Sequence, residues 1–237
     1  MPIQKNQCLG RNECNSGLTY VNSHSDPNHI DNGEIIIFRK EEHCKVFIHE
    51  MIHSNFRDLM LIRHSENREF TKRFCTDYDI LLNESYTEFN ATILNIFYLG
   101  IIHHLSEKKI NEFFKKEIKY GIFVCKQIMK YFDIEKVNQI IKKNEFCEKK
   151  LHQKTNVISY YFFKPLQMLH LKEMNEFLKK HTEKIQIHSK EGVHLYREMI
   201  LNWLVENDLE EKMMMTSLKK KIEPERSLRM TLFESCI

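Results

Sequence analysis

The spacing of apolar residues near the start of the chain predicts two short strands. Leu18 to Val21 and Ile35 to Phe38 are runs of β-forming residues, and turn-forming residues separate them: Asp26, Pro27, Asp31, Asn32 and Gly33. Short runs bounded by such residues are typical of neighbouring strands. We therefore expect a small N-terminal sheet.

From Glu41 onward the apolar residues recur at helical spacing instead. Four of them predict one face of a helix that runs from Glu41 to about Arg57, namely Val46, Phe47, Met51 and Ile52. The basic and polar residues from Arg63 to Arg73 predict a loop after this helix.

Helices are predicted for most of the remaining chain. Asp77 is the expected N-cap of a long helix over about 78–105, and Ser106 is the expected cap of the next one. Helical spacing then recurs in five segments: 107–132, 135–143, 157–170, 172–181 and 192–221. The predicted fold class is α+β and predominantly helical, with the small sheet at the N-terminus.

Composition fits one globular domain. The chain has 237 residues, of which 42% are hydrophobic and 29% charged, enough for a sizeable core. We expect a single domain over 1–237, with the chemistry in 1–105 and a helical part, 106–237, that completes the core or the cleft. The formal net charge is only +3, so charge does not point to nucleic acid as a partner.

The cysteines and the hydropathy favour a cytoplasmic protein. The seven cysteines are odd in number and include no C-x-x-C pair, which predicts reduced thiols rather than a disulfide scaffold. The first residues do not lead into an apolar leader region, and no run reaches the roughly 18 apolar residues that a membrane-spanning helix needs. We therefore expect no membrane partner.

The motif that carries chemistry is H-E-x-x-H, formed by His49, Glu50 and His53. Histidines four residues apart lie on one face of a helix, so one metal ion can bind both. Zinc is the expected metal, because it lowers the pKa of bound water toward neutrality. Glu50, rotated by about 100° from His49, can take a proton from that water as general base. Chance placement of the two histidines is the alternative, and the amphipathic helix around them argues against it.

A catalytic zinc ion also needs a third protein ligand and an open fourth position. Glu84 and Glu88, one turn apart on the long predicted helix, are the candidates. We expect Glu84 to bind the metal and Glu88 to accept a hydrogen bond from a ligand histidine. The reverse assignment is the alternative. Apolar neighbours predict that this helix is buried, and buried carboxylates need a partner.

H-E-x-x-H followed on a second helix by Asn83, Glu84 and Glu88, in the pattern N-E-x-x-x-E, resembles the gluzincin branch of the zincin metallopeptidases. Thermolysin-like enzymes belong to this branch. The resemblance covers about Glu34 to Ile96 and implies an active-site helix behind a small sheet. It also implies that an edge strand, Glu34 to Arg39, pairs with an extended peptide.

The chain departs from the family pattern in one respect. The interval between His53 and Glu84 is longer than in thermolysin, which leaves room for an inserted loop or for a different third ligand. The related metzincin pattern is excluded, because Phe56 and Leu59 stand where it requires a glycine and a histidine.

Gluzincins usually add a Tyr or His that stabilises the oxyanion of the tetrahedral intermediate. The resemblance implies this role for Tyr160 or Tyr161. The alternative is that the pair, which Phe162 and Phe163 follow, packs in the core.

The resemblance implies a zinc-dependent metallopeptidase that hydrolyses a peptide or isopeptide bond in a peptide or protein substrate. One alternative is a non-catalytic helical interaction protein with a structural or degenerate zinc site, which a closed set of four ligands would favour. Another is a nucleic-acid-binding helical protein, for which Lys219 to Arg229 is the only candidate basic stretch. His43 and Cys44 are expected not to bind the metal, because helical geometry places Cys44 off the face of His49 and His53.

Overall fold

The computed structural model of the chain describes residues 8–20, 34–54, 64–142, 146–182, 190–206, 209, 211–212, 228 and 231–232. Within these ranges, a sheet is formed by two antiparallel strands, β1 (Gly17–Tyr20) and β2 (Glu34–Ile37). Both lie within one residue of the predicted runs, which confirms the N-terminal sheet. Val21 and the turn-forming residues between the strands lie outside the described residues.

Helices make up most of the described chain, which confirms the α+β, predominantly helical fold class. They are α1 (Arg11–Cys14), α2 (His43–Ser54), α3 (His64–Thr71), α4 (Leu82–Ile102), α5 (Glu107–Tyr131), α6 (Lys164–Leu169), α7 (Leu171–Thr182) and α8 (Lys190–Val205). Shorter helical turns are 3₁₀ at Lys40–Glu42 and Val137–Ile140, and π-helical at Ser159–Phe163.

The segment predicted as a loop, Arg63 to Arg73, contains helix α3 instead. Its sequence is polar, but Phe70 is buried and packs against Phe74 and Phe163, with ring centroids 5.2 and 6.0 Å apart. A single aromatic side chain anchors this short helix to the core. One apolar residue does not produce a helical periodicity that could be recognised in the sequence. Arg63 itself lies outside the described residues.

The long helix begins at Leu82 rather than near residue 78, because Asp77 does not cap it. The Asp77 carboxylate instead lies 2.6 Å from His152 Nδ1 and forms an ion pair with Lys150. Leu81 is in the extended conformation just before the helix. A distant pair of basic residues thus engages the side chain that the sequence assigned to a local cap.

Three later predictions also change. Of the helix predicted over 135–143, the described residues 135–142 form only the turn Val137–Ile140, because Ile141 leaves helical geometry to pair with Phe74 in a β-bridge. The helix predicted over 157–170 is divided between the π-helical turn and α6. Helix α8 ends at Val205, and most of the predicted helix beyond it lies outside the described residues. Helices α5 and α7 match their predicted bounds to within one residue.

Helix α4 is central to the fold. It packs against α2 on one side, and against α5, α6 and the π-helical turn elsewhere. The fully buried side chains at these contacts include Phe89, Ile96, Ile128, Phe162, Phe163 and Leu166, and burial of each contributes roughly 1.5–3 kcal/mol. The contact between α2 and α4 brings together the two helices that carry the predicted metal ligands.

Cys75 and Cys147 form a disulfide, which makes the expectation of reduced thiols wrong for this pair. The bond joins the segment before α4 to the connection between α5 and α6, two segments that also pair at Thr76 and Leu151. Disulfides are rare in cytosolic proteins, so the cysteines no longer favour a cytosol-like compartment, and the cytoplasmic location stays a prediction. Among the helices of the described ranges, none has both the length and the apolar character to cross a membrane.

Replacing Cys147 with serine is expected to lower the free energy of unfolding by about 2–4 kcal/mol. The reason is that the disulfide closes a loop with a sequence separation of 72 residues and so restricts the unfolded chain. Urea denaturation measures the difference, with Cys8→Ser, at a cysteine outside the disulfide, as the control. Equal urea midpoints for wild type and Cys147→Ser without reductant would contradict this role of the bond.

Candidate metal centre

Helix α2 turns its polar side toward α4. Lys45, His49 and Glu50 are buried, whereas Phe47 and Met51 are 49% and 38% exposed. The prediction that Phe47 and Met51 belong to the buried face is therefore wrong. Lys45 and His49 contact Glu88 of α4 instead, and Glu50 faces β1. Buried polar groups of this kind need specific partners.

Three ligand atoms converge between α2 and α4. His49 Nε2 and His53 Nε2 are 3.0 Å apart, and each lies 3.5 Å from Glu84 Oε2. A zinc ion bound tetrahedrally at about 2.1 Å holds its ligand atoms about 3.4 Å apart. The triangle formed by the three side chains therefore has the size that one such ion requires, and the donor types suit zinc.

Glu84 is held at this point by hydrogen bonds. Tyr160 donates to Glu84 Oε2 at 2.8 Å, and both histidines lie beside the same oxygen. Burial alone would raise the pKa of Glu84, but the hydrogen bonds from His49 and His53 outweigh it and hold that pKa well below its usual range. The carboxylate is thus ionised at neutral pH, as a metal ligand must be.

Glu88 lies behind His49 rather than in the triangle. Its Oε2 is 3.0 Å from His49 Nδ1 and accepts a hydrogen bond from Lys45. Burial opposes ionisation, but Lys45 and His49 lower the pKa of Glu88 to about 2. Burial would lower the pKa of His49, but its hydrogen bonds to Glu84 and Glu88 raise it in the absence of metal. This is the arrangement in which a carboxylate orients a ligand histidine.

Glu50 faces a cavity of about 280 Å³ that the three ligand side chains also line. Its Oε2 accepts a hydrogen bond of 2.6 Å from the hydroxyl of Thr19 on β1. The cavity is lined by Asn15, Ser16, Gly17, Leu18, Thr19, Lys45, Val46, His49, Glu50, His53, Asn83, Glu84 and Tyr160. The carboxylate therefore opens onto the same space as the ligand atoms and is fixed by a neighbouring strand.

The two candidate tyrosines lie in different surroundings. Tyr160 lines the cavity, with its ring centroid 6.1 Å from that of His49, whereas Tyr161 donates to the carbonyl oxygen of Leu228 at 3.2 Å. Burial, followed by the nearby Glu84 carboxylate, raises the pKa of Tyr160 well above its usual value, so its hydroxyl is a hydrogen-bond donor. Only Tyr160 of the pair is placed to meet a ligand in the cavity.

The π-helical turn Ser159–Phe163 carries both tyrosines. Such turns are rare and occur often at functional sites, because the extra residue re-aims the side chains that follow. The sequence interpretation that this segment packs in the core also holds for Tyr161, Phe162 and Phe163, which are 2% exposed or less.

The strand beside the cavity is β1 and not β2. Residues 15–19 line the cavity, and none of residues 34–39 does. The pairing of Glu34 to Arg39 with an extended peptide, which the resemblance implies, stays a prediction. β1 reaches the cavity because Gly17 lies against Val46 and Glu50 of α2.

Sequence reasoning missed Lys45 and Thr19. Lys45, His49 and His53 recur every four residues, so the inward position of Lys45 could have been inferred from the face that the histidines share. No local pattern points to Thr19, because its contact with Glu50 depends on how β1 lies over α2. Such contacts arise only from tertiary packing.

The other histidines considered lie elsewhere. His43 Nδ1 is 2.8 Å from the carbonyl oxygen of Lys40, and the thiol of Cys44 is free of any disulfide. His103 and His104 are exposed after the end of α4. The basic residues of Lys219 to Arg229 lie outside the described residues. Within the described part of the chain, His49, His53 and Glu84 form the group able to hold a metal ion.

Comparisons of the chain with protein-family models, with curated proteins and with solved structures found no match. Function therefore has to be inferred from the geometry and chemistry of the site itself.

Gly17 allows the close contact between β1 and α2. A Cβ atom on Gly17 would lie 2.6 Å from Val46 Cγ1 and 2.9 Å from Glu50 Oε1. Gly17→Ala is therefore expected to displace Glu50 and to lower the free energy of unfolding by about 1–3 kcal/mol. Thermal denaturation measures this, with Gly100→Ala as a control whose Cβ is crowded by Ile110, outside the cavity lining. A Gly17→Ala variant that melts at the wild-type temperature would contradict this role of Gly17.

Proposed function

We propose that the protein is a zinc-dependent metallopeptidase that hydrolyses a peptide or isopeptide bond in a peptide or protein substrate. The observation that carries the proposal is the convergence of His49 Nε2, His53 Nε2 and Glu84 Oε2 beside a cavity that Glu50 also lines. A zinc ion held by these three side chains would supply Lewis acidity, polarising a carbonyl group and lowering the pKa of water.

The residues of the chain then take distinct roles. Glu50 accepts a proton from the attacking water and passes it to the leaving amine nitrogen. Thr19 holds the carboxylate of Glu50 in the cavity through its hydrogen bond of 2.6 Å. Glu88 orients the ring of His49, so that Nε2 of that ring points toward the other ligand atoms.

Tyr160 is the proposed donor to the oxyanion that develops on the substrate. Its hydroxyl keeps its proton because burial and Glu84 raise its pKa. It donates to Glu84 Oε2 at 2.8 Å at the cavity wall, and in the reaction it would turn from this acceptor to the oxyanion. A donor preorganised in a partly buried site stabilises developing negative charge more strongly than water does. Tyr161 has no part in this proposal, since it does not line the cavity.

The number of ligands favours a catalytic site over a structural one. Structural zinc sites are closed by four protein ligands, whereas catalytic sites keep one position open. In the described residues, the group able to bind a metal has three members, and these three line a cavity.

The test is turnover of a peptide library by the zinc-loaded protein. We expect cleavage that stops when a chelator removes the metal and resumes when zinc is added back, because the three ligand side chains remain in place. Lys40→Met, which changes an exposed residue outside the cavity lining, should cleave as the wild type does. Zinc-loaded protein that cleaves no peptide in the library would overturn the peptidase assignment.

A further inference from the structure

A buried cation lies directly behind the proposed metal centre. The side chain of Glu88 has no exposed surface, and that of Lys45 is 1% exposed. Lys45 Nζ donates to Glu88 Oε2, the same oxygen that lies 3.0 Å from His49 Nδ1. One carboxylate oxygen thus joins the ammonium group of Lys45 to the ring of His49.

Glu88 needs this cation when the metal is bound. A histidine that ligates a metal is neutral, so His49 does not compensate the charge of Glu88. A buried carboxylate without a compensating charge is strongly unfavourable. The opposite charge must therefore come from another residue that Glu88 contacts.

Lys164 meets this need less directly than Lys45 does. Its Nζ lies 3.8 Å from the other oxygen, Glu88 Oε1, and nearer to Glu117 Oε1, at 3.3 Å. Glu117 Oε2 in turn accepts hydrogen bonds from the hydroxyl of Thr231 and from the backbone N–H of Leu232. Lys164 therefore belongs mainly to a second buried pair, and Lys45 is the cation hydrogen-bonded to Glu88 at His49.

We propose that Lys45 is a positioning residue of the metal centre, whose ammonium group holds Glu88 Oε2 against His49 Nδ1 and so directs His49 Nε2 toward the metal. This inference rests on the proposed zinc site, and it adds a residue of α2 that does not touch the metal. Lys45 precedes His49 by four residues, as His49 precedes His53, so all three share one face of the helix.

The geometry of α2 fixes the position of the Lys45 ammonium group relative to His49. The side chains of Lys45 and His49 leave the same helix one turn apart and meet one oxygen of α4. A cation on a flexible loop would let the carboxylate rotate, whereas a buried side chain on a packed helix does not. Loss of the ammonium group should therefore loosen the ring of His49 rather than remove a ligand.

Lys45→Met is the direct test, with zinc affinity measured by competition against a chromogenic chelator and with the visible spectrum of the cobalt-substituted protein. We expect zinc affinity to fall by about 10–100-fold and the cobalt bands to shift, because the geometry of His49 changes. Lys40→Met, the same substitution at an exposed residue before α2, should match the wild type in both. Wild-type affinity and an unchanged cobalt spectrum in Lys45→Met would overturn the inference.

A double variant keeps the test decisive if Lys45→Met does not fold. Lys45→Met/Glu88→Gln removes both charges and leaves no unpaired buried carboxylate. If Lys45 acts through Glu88, this variant should bind zinc as tightly as Glu88→Gln alone, since the two effects are not additive. Weaker binding than Glu88→Gln would show that Lys45 acts by another route and would overturn the inference.

Failure of the proposed function gives a different result. A wild type that binds zinc but cleaves no peptide would overturn the peptidase assignment and leave the role of Lys45 in metal binding intact. A wild type that binds no zinc would overturn both.

Discussion

Replacing Glu50 with glutamine is expected to lower the rate of peptide hydrolysis by about 10²–10⁴-fold, the usual contribution of a general base. Glutamine nearly matches the shape of glutamate but does not accept the proton of the attacking water. Zinc content should stay at the wild-type value, because Glu50 is not part of the ligand triangle. Single-turnover assays with zinc-loaded protein would measure the loss.

The matched control for Glu50→Gln is Glu42→Gln. Glu42 is another buried carboxylate and accepts hydrogen bonds from Ser16 and from the backbone of Thr231. Glu42→Gln should lower the free energy of unfolding and leave the rate of peptide hydrolysis by the folded protein close to that of the wild type. Hydrolysis by Glu50→Gln at the wild-type rate would mean that another group activates the water.

Replacing Glu84 with alanine is expected to weaken zinc binding by more than about 100-fold. The reason is that Glu84 Oε2 completes the triangle with His49 and His53 at 3.5 Å. Loss of an orienting carboxylate weakens zinc binding by about 10–100-fold. The loss of zinc affinity in Glu88→Ala, one turn further along α4, should fall within the range of about 10–100-fold. The reason is that Glu88 meets His49 at Nδ1, the ring nitrogen that is not directed at Glu84. Zinc affinities of the two variants, measured side by side, decide which of the two carboxylates binds the metal and which orients His49.

The reverse order of these two affinities would favour the other assignment, in which Glu88 binds the metal. The structure gives this alternative little support, because Lys45 and His49 Nδ1 both meet Glu88 Oε2. A carboxylate oxygen engaged in this way is not directed toward His53.

The periodicity of the chain predicted most of the fold. Runs of β-forming residues located β1 and β2, and helical spacing located α2, α5 and α7. In α5 and α7 this spacing reflects one apolar face that packs against the core, whereas in α2 Phe47 and Met51 are exposed.

Helix α3 was missed because one residue, Phe70, anchors it. The start of α4 was misplaced because Asp77 pairs with Lys150 and His152, which lie more than 70 residues later. Neither contact leaves a local pattern.

The candidate site was predictable to the extent that it lies on helices. His49 and His53 share a face by spacing alone, and Glu84 and Glu88 share another on α4. The split of roles between the two carboxylates follows from the way α4 crosses α2, which spacing does not reveal. The border formed by β1, the selection of Tyr160 over Tyr161 and the hydrogen bond from Thr19 to Glu50 depend likewise on tertiary packing.

The most direct test of the central claim is the zinc content of the purified wild-type protein, measured by mass spectrometry after incubation with zinc and desalting. A site formed by His49, His53 and Glu84 predicts close to one zinc ion per chain. A protein that keeps no zinc after this treatment would contradict the metal centre, and with it the proposed hydrolase.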